Sequence, residues 1–175
     1  MSTEILHTKN VYSGRVFDVR QDQVRLPNGK TMQLDIVDHP GAVVIVPVDS
    51  DGKIWLIRQY RHAAGKDLLE LPAGVVEAGE NFEEGALREL REEIGMTAGK
   101  IQKIGEFYIA PGYSTEYLFI YLASELRPDP LPGDEDEFIQ VVPMPADQAI
   151  ALAQTGQIPD AKTLAALLLA IPHLK

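Results

Sequence analysis

Apolar and polar positions alternate along residues 10–37 in a way that predicts β structure, and Leu26-Pro27-Asn28-Gly29-Lys30 supplies turn chemistry between Val24-Arg25 and Met32-Gln33-Leu34. Two apolar runs, Val43-Val44-Ile45-Val46-Pro47-Val48 and Ile54-Trp55-Leu56-Ile57, flank Asp49-Ser50-Asp51-Gly52 and predict a hairpin. Pro47 cannot donate to a β ladder, so it is expected on an edge or at a bulge. Further strands are predicted at 104–109, 117–123 and 138–143, and helices at 82–94, 146–155 and 160–171, with Pro172 ending or kinking the last. The acidic, proline-bearing stretch 127–137 reads as a loop. Strands outnumber helices and do not alternate regularly with them. This favours a mixed α+β sandwich over a doubly wound parallel sheet.

Composition narrows the partners. With 45% apolar and 24% charged residues among 175, the chain can build a true core of one domain with a small appended element. A formal net charge of -10 argues against a nucleic-acid partner, which needs basic patches, but not against a small phosphate compound bridged by cations. The absence of cysteine excludes disulfides, zinc–cysteine sites and thiol nucleophiles. Residues Met1 to His7 show no basic segment followed by an apolar one, and the longest apolar run, Leu164 to Ile171, is too short to span a bilayer. A cytoplasmic protein without a membrane partner is the expectation.

Chemistry enters with the first predicted helix. Glu89, Glu92 and Glu93 stand at i, i+3 and i+4 on one face, away from the apolar stripe of Leu87, Leu90 and Ile94. They crowd the C-terminal half, just before Gly95 as the expected C-cap, where the macrodipole disfavours negative charge and like charges repel. A solvated face partly compensated by Arg88 and Arg91 is the ordinary reading of such a cluster. The other is that it recruits a cation, and clustered carboxylates suit Mg²⁺ or Mn²⁺.

Gly74, Glu80, Arg88-Glu89-Leu90, Glu92-Glu93, Gly95 and Met96 follow the order G-x5-E-x7-R-E-U-x-E-E-x-G-U, where U is bulky and apolar. This resembles the Nudix box at every specified position. The resemblance implies an α/β/α Nudix sandwich with a mixed sheet over 41–175, preceded by a small β element over 1–40. It implies Glu89 and Glu93 as principal metal ligands, with Glu92 ligating or assisting and the backbone carbonyl of Ala73 as a further ligand. Metals so held would bridge a diphosphate, neutralise developing charge and activate water. Gly74 is expected to permit a tight loop entering the motif and Gly95 an abrupt helix end. Glu80 and Arg88 either brace the loop against the helix, as in the family, or form an ordinary surface ion pair.

Outside the box, Leu56-Ile57-Arg58-Gln59-Tyr60-Arg61, Leu69-Glu70-Leu71-Pro72-Ala73-Gly74 and Ala110-Pro111-Gly112-Tyr113-Ser114-Thr115-Glu116 are similar to the ADP-ribose and nucleotide-sugar pyrophosphatase branch. That branch implies a homodimer whose N-terminal element reaches the partner, and hydrolysis of ADP-ribose to AMP and ribose 5-phosphate with Mg²⁺, or Mn²⁺ in its place. Arg61, with Arg58 beside it, would contact phosphate or ribose, or else Arg61 is a strand-end arginine in a salt bridge. Phe17 and Tyr60 are candidates to stack on adenine, and Pro111, Gly112 and Glu116 to approach the terminal sugar or a metal. Glu135 or Glu137 is the expected general base on the acidic loop. Another nucleotide sugar such as GDP-mannose is the rival substrate. A module that binds ADP-ribose without cleaving it is the rival outside the enzymes.

Overall fold

The computed structural model describes residues 2–133 and 138–174, and the chain divides into two units. The first contains the chain up to Gly41 together with Tyr108–Tyr117. Its strands β1 (Glu4–Ser13), β2 (Asp18–Arg25) and β3 (Thr31–Asp38) form an antiparallel sheet in that order. The expected turn is present: Leu26 N–H donates to Lys30 O at 2.8 Å, and Gly29 takes a φ of 83° that its side-chain-free backbone tolerates. β1 starts six residues before the predicted β stretch. All its residues are exposed, so no inward stripe marks it, and pairing with β2 holds it in place. Within the same unit, Val37 N–H donates to Tyr113 O and Thr115 N–H to Val37 O, so the 110–116 segment lines up beside β3.

The second unit carries two sheets. One runs β7-β4-β9-β8, from β4 (Ala42–Pro47), β7 (Ala73–Val75), β8 (Met96–Tyr108) and β9 (Tyr117–Pro128). It is mixed, since β4 pairs antiparallel with β7 and parallel with β9. The other runs β10-β5-β6, from β5 (Lys53–Arg61), β6 (Lys66–Glu70) and β10 (Ile139–Pro145), and is antiparallel. Helix α1 (Phe82–Glu93) packs on β4 and β7, α2 (Ala146–Gln154) on β10 and β5, and α3 (Ala161–Ala170) on β4. The fold is the expected α+β sandwich with a mixed sheet. Its core joins Val43, Ile45, Ile57, Tyr121 and Ala123 to Ala86, Leu90 and Ile94 of the α1 region. Each fully buried aliphatic side chain in such a core contributes about 1.5–3 kcal/mol.

The predicted hairpin forms because Asp49 organises it: Oδ1 accepts from the Asp51 and Lys53 N–H groups at 2.9 Å, and Oδ2 from Trp55 Nε1 at 2.8 Å. Pro47 closes β4, an interior strand, rather than lying on a sheet edge. Ile45 N–H reaches Pro72 O on the β7 side, and two residues on Pro47 faces the same way, past the end of the β4–β7 pairing. The missing donor therefore falls where no neighbour asks for it. β6 and β7 are additions to the predicted elements, since runs of five and three residues around Pro72 carry too little periodicity to show. β8 begins at Met96 rather than 104, because Ala98-Gly99-Lys100 dilutes its β pattern. α3 gives way at Ile171 to a 3₁₀ turn containing Pro172. Arg127 and Pro128 belong to β9, not to the acidic loop.

Candidate active site

The site grows from the contact between β7 and the acidic face of α1. The helix starts with a capping box in which Asn81 Oδ1 accepts from the Glu83 and Glu84 N–H groups and Glu84 accepts from Asn81 N–H. Leu90 and Ala86 then turn inward, which leaves Glu89 and Glu93 on the flank towards β7. Both glutamates are buried, at 8% and 7% exposure. Glu93 Oε2 accepts from Ala73 N–H at 2.9 Å. Gly74 lies in extended β7 without a positive φ, so conformational freedom in a loop is not its role. A Cβ there would overlap the Glu89 carboxylate, so glycine is what lets that carboxylate lie against β7.

Arg88 ties the same corner together. Its Nε and Nη2 donate to Glu80 at 3.0 and 3.1 Å, Nη2 also to Val75 O, and Nη1 to Glu89 Oε1 at 2.7 Å and Glu92 Oε2 at 2.8 Å. Burial opposes the guanidinium charge, but these carboxylates outweigh it and raise the Arg88 pKa. Hydrogen bonding from Arg88 in turn holds Glu80 below its ordinary range. α1 ends at Glu93 with Ile94, not the expected Gly95, as its C-cap, and Gly95 follows with a φ of 69° that turns the chain. Asp129 N–H then donates to Gly95 O and Leu131 N–H to Arg91 O, so the start of the acidic loop satisfies carbonyls of the last turn.

A second set of charges flanks the corner. Arg61 Nε and Nη2 donate to the two oxygens of Glu70, each at 2.8 Å, and Lys162 Nζ also reaches Glu70. Glu70 is 1% exposed. Burial pushes its carboxyl up, yet the Arg61 hydrogen bonds and the Lys162 charge pull it below its ordinary value. The Arg61 pKa is raised, mostly through Glu70 and with a contribution from the charge of Glu93.

The chain matches the NUDIX domain over residues 38–167 and the N-terminal domain of nucleoside diphosphate sugar hydrolases over 4–31. The chain belongs to the NUDIX family. It is similar to the ADP-ribose pyrophosphatase of Bacillus subtilis (strain 168), at 41% identity over 91% of this chain and 87% of the relative. It is also similar to the GDP-mannose pyrophosphatase of Yersinia pestis (strain Pestoides F), at 35% identity over 76% and 71%. A solved ADP compounds hydrolase superposes with a TM-score of 0.88 at 28% identity, covering 99% of this chain and 95% of its own. The protein is a Nudix pyrophosphohydrolase.

In Nudix terms, the structure brings Ala73, Gly74, Glu80, Arg88, Glu89, Glu92 and Glu93 to one corner, with Arg61 in the field of Glu93 and Gly95 just past the end of α1. Arg58 and Tyr60 are not with Arg61. Along β5 the side chains alternate, so Trp55, Ile57, Gln59 and Arg61 share one face while Arg58 and Tyr60 stand exposed on the other. Phe17, Pro111, Gly112 and Glu116 belong to the first unit, where Phe17 packs against Tyr12 and Glu116 N–H donates to Ser114 Oγ at 3.1 Å. Glu135 and Glu137 lie outside the described residues.

The sequence motifs contain Glu70 without marking a role for it, and do not contain Lys162. The signal for Glu70 was a charged residue inside the apolar run Leu68-Leu69-Glu70-Leu71, whereas nothing local marks Lys162, 92 residues away. Gln59 is likewise unmarked, and it is buried with Oε1 lacking a hydrogen-bond partner in the described structure.

The donors expected from the resemblance, Glu89, Glu92, Glu93 and the Ala73 carbonyl, are all oxygen, a chemistry that fits a hard divalent cation. Among the described residues no three acidic or imidazole groups form a ready cage. Arg88 draws Glu89 and Glu92 to itself, and Glu93 is held at Ala73. Two of the three acids nevertheless stay buried, and Gly74 leaves room for the Glu89 carboxylate beside β7, so the oxygen chemistry of the corner fits a cation although no cage is formed. No helix among the described residues is long and apolar enough to cross a membrane.

Proposed function

We propose that the protein hydrolyses the pyrophosphate bond of ADP-ribose to AMP and ribose 5-phosphate, using Mg²⁺ or, in its place, Mn²⁺. The observation that carries the chemistry is the lodging of Glu89 against Gly74 beside Glu93, which sets two buried carboxylates into one oxygen-lined corner. A divalent ion held there would supply charge neutralisation at the diphosphate and a more acidic water. The protein's own residues do the rest. Glu89, Glu92 and Glu93 act as ligands with the Ala73 carbonyl, and Arg88 braced on Glu80 keeps the face in register. Arg61 offers its guanidinium to the phosphates. Glu135 or Glu137 serves as general base, while Phe17, Pro111, Gly112 and Glu116 contribute to substrate choice.

ADP-ribose is favoured by the high identity over nearly the whole length of the Bacillus subtilis relative. The Yersinia pestis relative makes GDP-mannose the second reading. The protein is proposed to work as a cytoplasmic homodimer. Product analysis with ADP-ribose, GDP-mannose, ATP and diadenosine polyphosphates, each with Mg²⁺, Mn²⁺ or EDTA, tests the assignment. AMP and ribose 5-phosphate released only with metal, and fastest from ADP-ribose, is the expected result. Preference for GDP-mannose overturns the substrate, and equal turnover in EDTA overturns the metal chemistry.

A further inference from the structure

Glu70 is a carboxylate with 1% exposure, and both of its oxygens are engaged: Oε1 by Arg61 Nε, Oε2 by Arg61 Nη2 and by Lys162 Nζ. Lys162 also holds Asp160 at 2.9 Å, and Asp160 caps α3 by accepting from Thr163 N–H. Next along the chain, Leu71 N–H donates to the buried hydroxyl of Thr163 at 2.8 Å. Two residues further, Ala73 N–H donates to Glu93. The first turn of α3 thus clamps the segment that leads directly into the carboxylate corner.

Stability alone does not call for this arrangement. A buried ion pair is often no better than packed apolar side chains of the same volume, because desolvation offsets the attraction. What the arrangement secures is orientation. The two parallel hydrogen bonds use Nε and Nη2 in the fork that only a guanidinium can form, and leave Nη1 outside the pair. Arg61 remains 38% exposed although its pair partner is sealed, and it lies within the field of Glu93.

We infer that Glu70, itself anchored by Lys162, is a positioning residue that fixes Arg61 towards the diphosphate of the substrate. This rests on the proposed role of Arg61 as a phosphate contact. Glu70 touches no substrate in this account and acts through the arginine.

A double-mutant cycle on the full-length protein tests it, with kcat/KM for ADP-ribose at saturating Mg²⁺ and thermal melts recorded in parallel. Glu70→Gln is expected to lower kcat/KM by about tenfold or more, as loss of pre-set orientation does. Arg61→Ala is expected to lose at least as much, and adding Glu70→Gln to it should cost nothing further, within about twofold. An equal loss from Glu70→Gln in both backgrounds would show that Glu70 acts through the fold, and overturns the inference. So does wild-type kcat/KM in Glu70→Gln when Arg61→Ala is impaired. Wild-type kcat/KM in Arg61→Ala overturns the role of Arg61 as well. Should Glu70→Gln fail to fold, Arg61→Lys keeps the charge without the fork. It is expected to behave like Arg61→Ala, and near-normal kcat/KM there overturns the inference. If another compound of the product panel is the substrate, the same cycle on that compound separates the two questions.

Discussion

Gly74 and Glu89 show how little room a single site residue has. Because a Cβ at Gly74 overlaps the Glu89 carboxylate, Gly74→Ala should leave the core intact yet push Glu89 out of position. The expected outcome is a loss in kcat of about a hundredfold, the scale of an ångström-sized misplacement. A higher Mg²⁺ requirement in a metal titration should accompany it. Glu93→Gln keeps size and the acceptor for Ala73 N–H but removes the charge. Steady-state kinetics should show a loss of about a thousandfold, as for removal of a key electrostatic group, with a melting temperature unchanged or raised. Near-normal turnover of this variant at saturating Mg²⁺ would remove Glu93 from the ligand set. That Glu89, Glu92 and Glu93 share one face of α1 was legible from spacing alone. The reason for Gly74 was not, because the overlap involves a residue 15 positions away that only packing brings near.

At the scale of elements, α1 is the piece most completely written in the local sequence. Its Asn81 cap, Glu84 reciprocal bond, apolar stripe and Gly95 stop all sit within one stretch of chain. Asn81→Ala should therefore cost about 1 kcal/mol in a denaturant titration while leaving kcat nearly unchanged. A loss of activity without a loss of stability would mean that the cap positions the site rather than the helix. β6 and β7 are the opposite case. They become strands because β5 and β4 offer them partners, and a three-residue segment has no periodicity by which to announce itself. Glu125 in β9 carries a φ of 58°, a left-handed conformation costing a side-chain-bearing residue about 1–2 kcal/mol.

For the whole molecule, acid sensitivity follows from the carboxylates held below their ordinary range. Glu80 is lowered by Arg88, and Glu70 by Arg61 and Lys162 against the effect of burial. A depressed folded-state pKa stabilises the fold fully above the unfolded value, about 4.3 for glutamate, and that stabilisation drains away as pH falls through the folded value. Melting temperatures at about pH 6 and about pH 3.5 should therefore differ more in the wild type than in Glu80→Gln. Equal differences would mean that the Arg88 pair contributes nothing to acid stability. Assembly is the other property of this scale. The first unit buries Val24 and exposes Ile5, Val11, Tyr12, Val16 and Phe17, a large apolar remainder for a three-stranded sheet. Sedimentation at micromolar concentration should give a dimer, and Ile5→Asp should shift it towards monomer. A fully active wild-type monomer would contradict the homodimer.

By itself the sequence determined the α+β class of fold and the acidic face of α1, and its resemblance to the Nudix box carried the expectation of pyrophosphate hydrolysis. Helix caps, turn glycines and the i, i+3, i+4 acids act over a few residues, and their physics is complete at that range. Tertiary structure alone decided which side chains meet. Arg61 and Arg58 are three residues apart and look alike in the chain, yet strand pleating sends them to opposite faces, and only Arg61 finds Glu70. Glu70 in turn owes its second partner to α3, 92 residues on. A buried charge persists only where its counter-charges are brought to it, and that gathering belongs to the packed molecule.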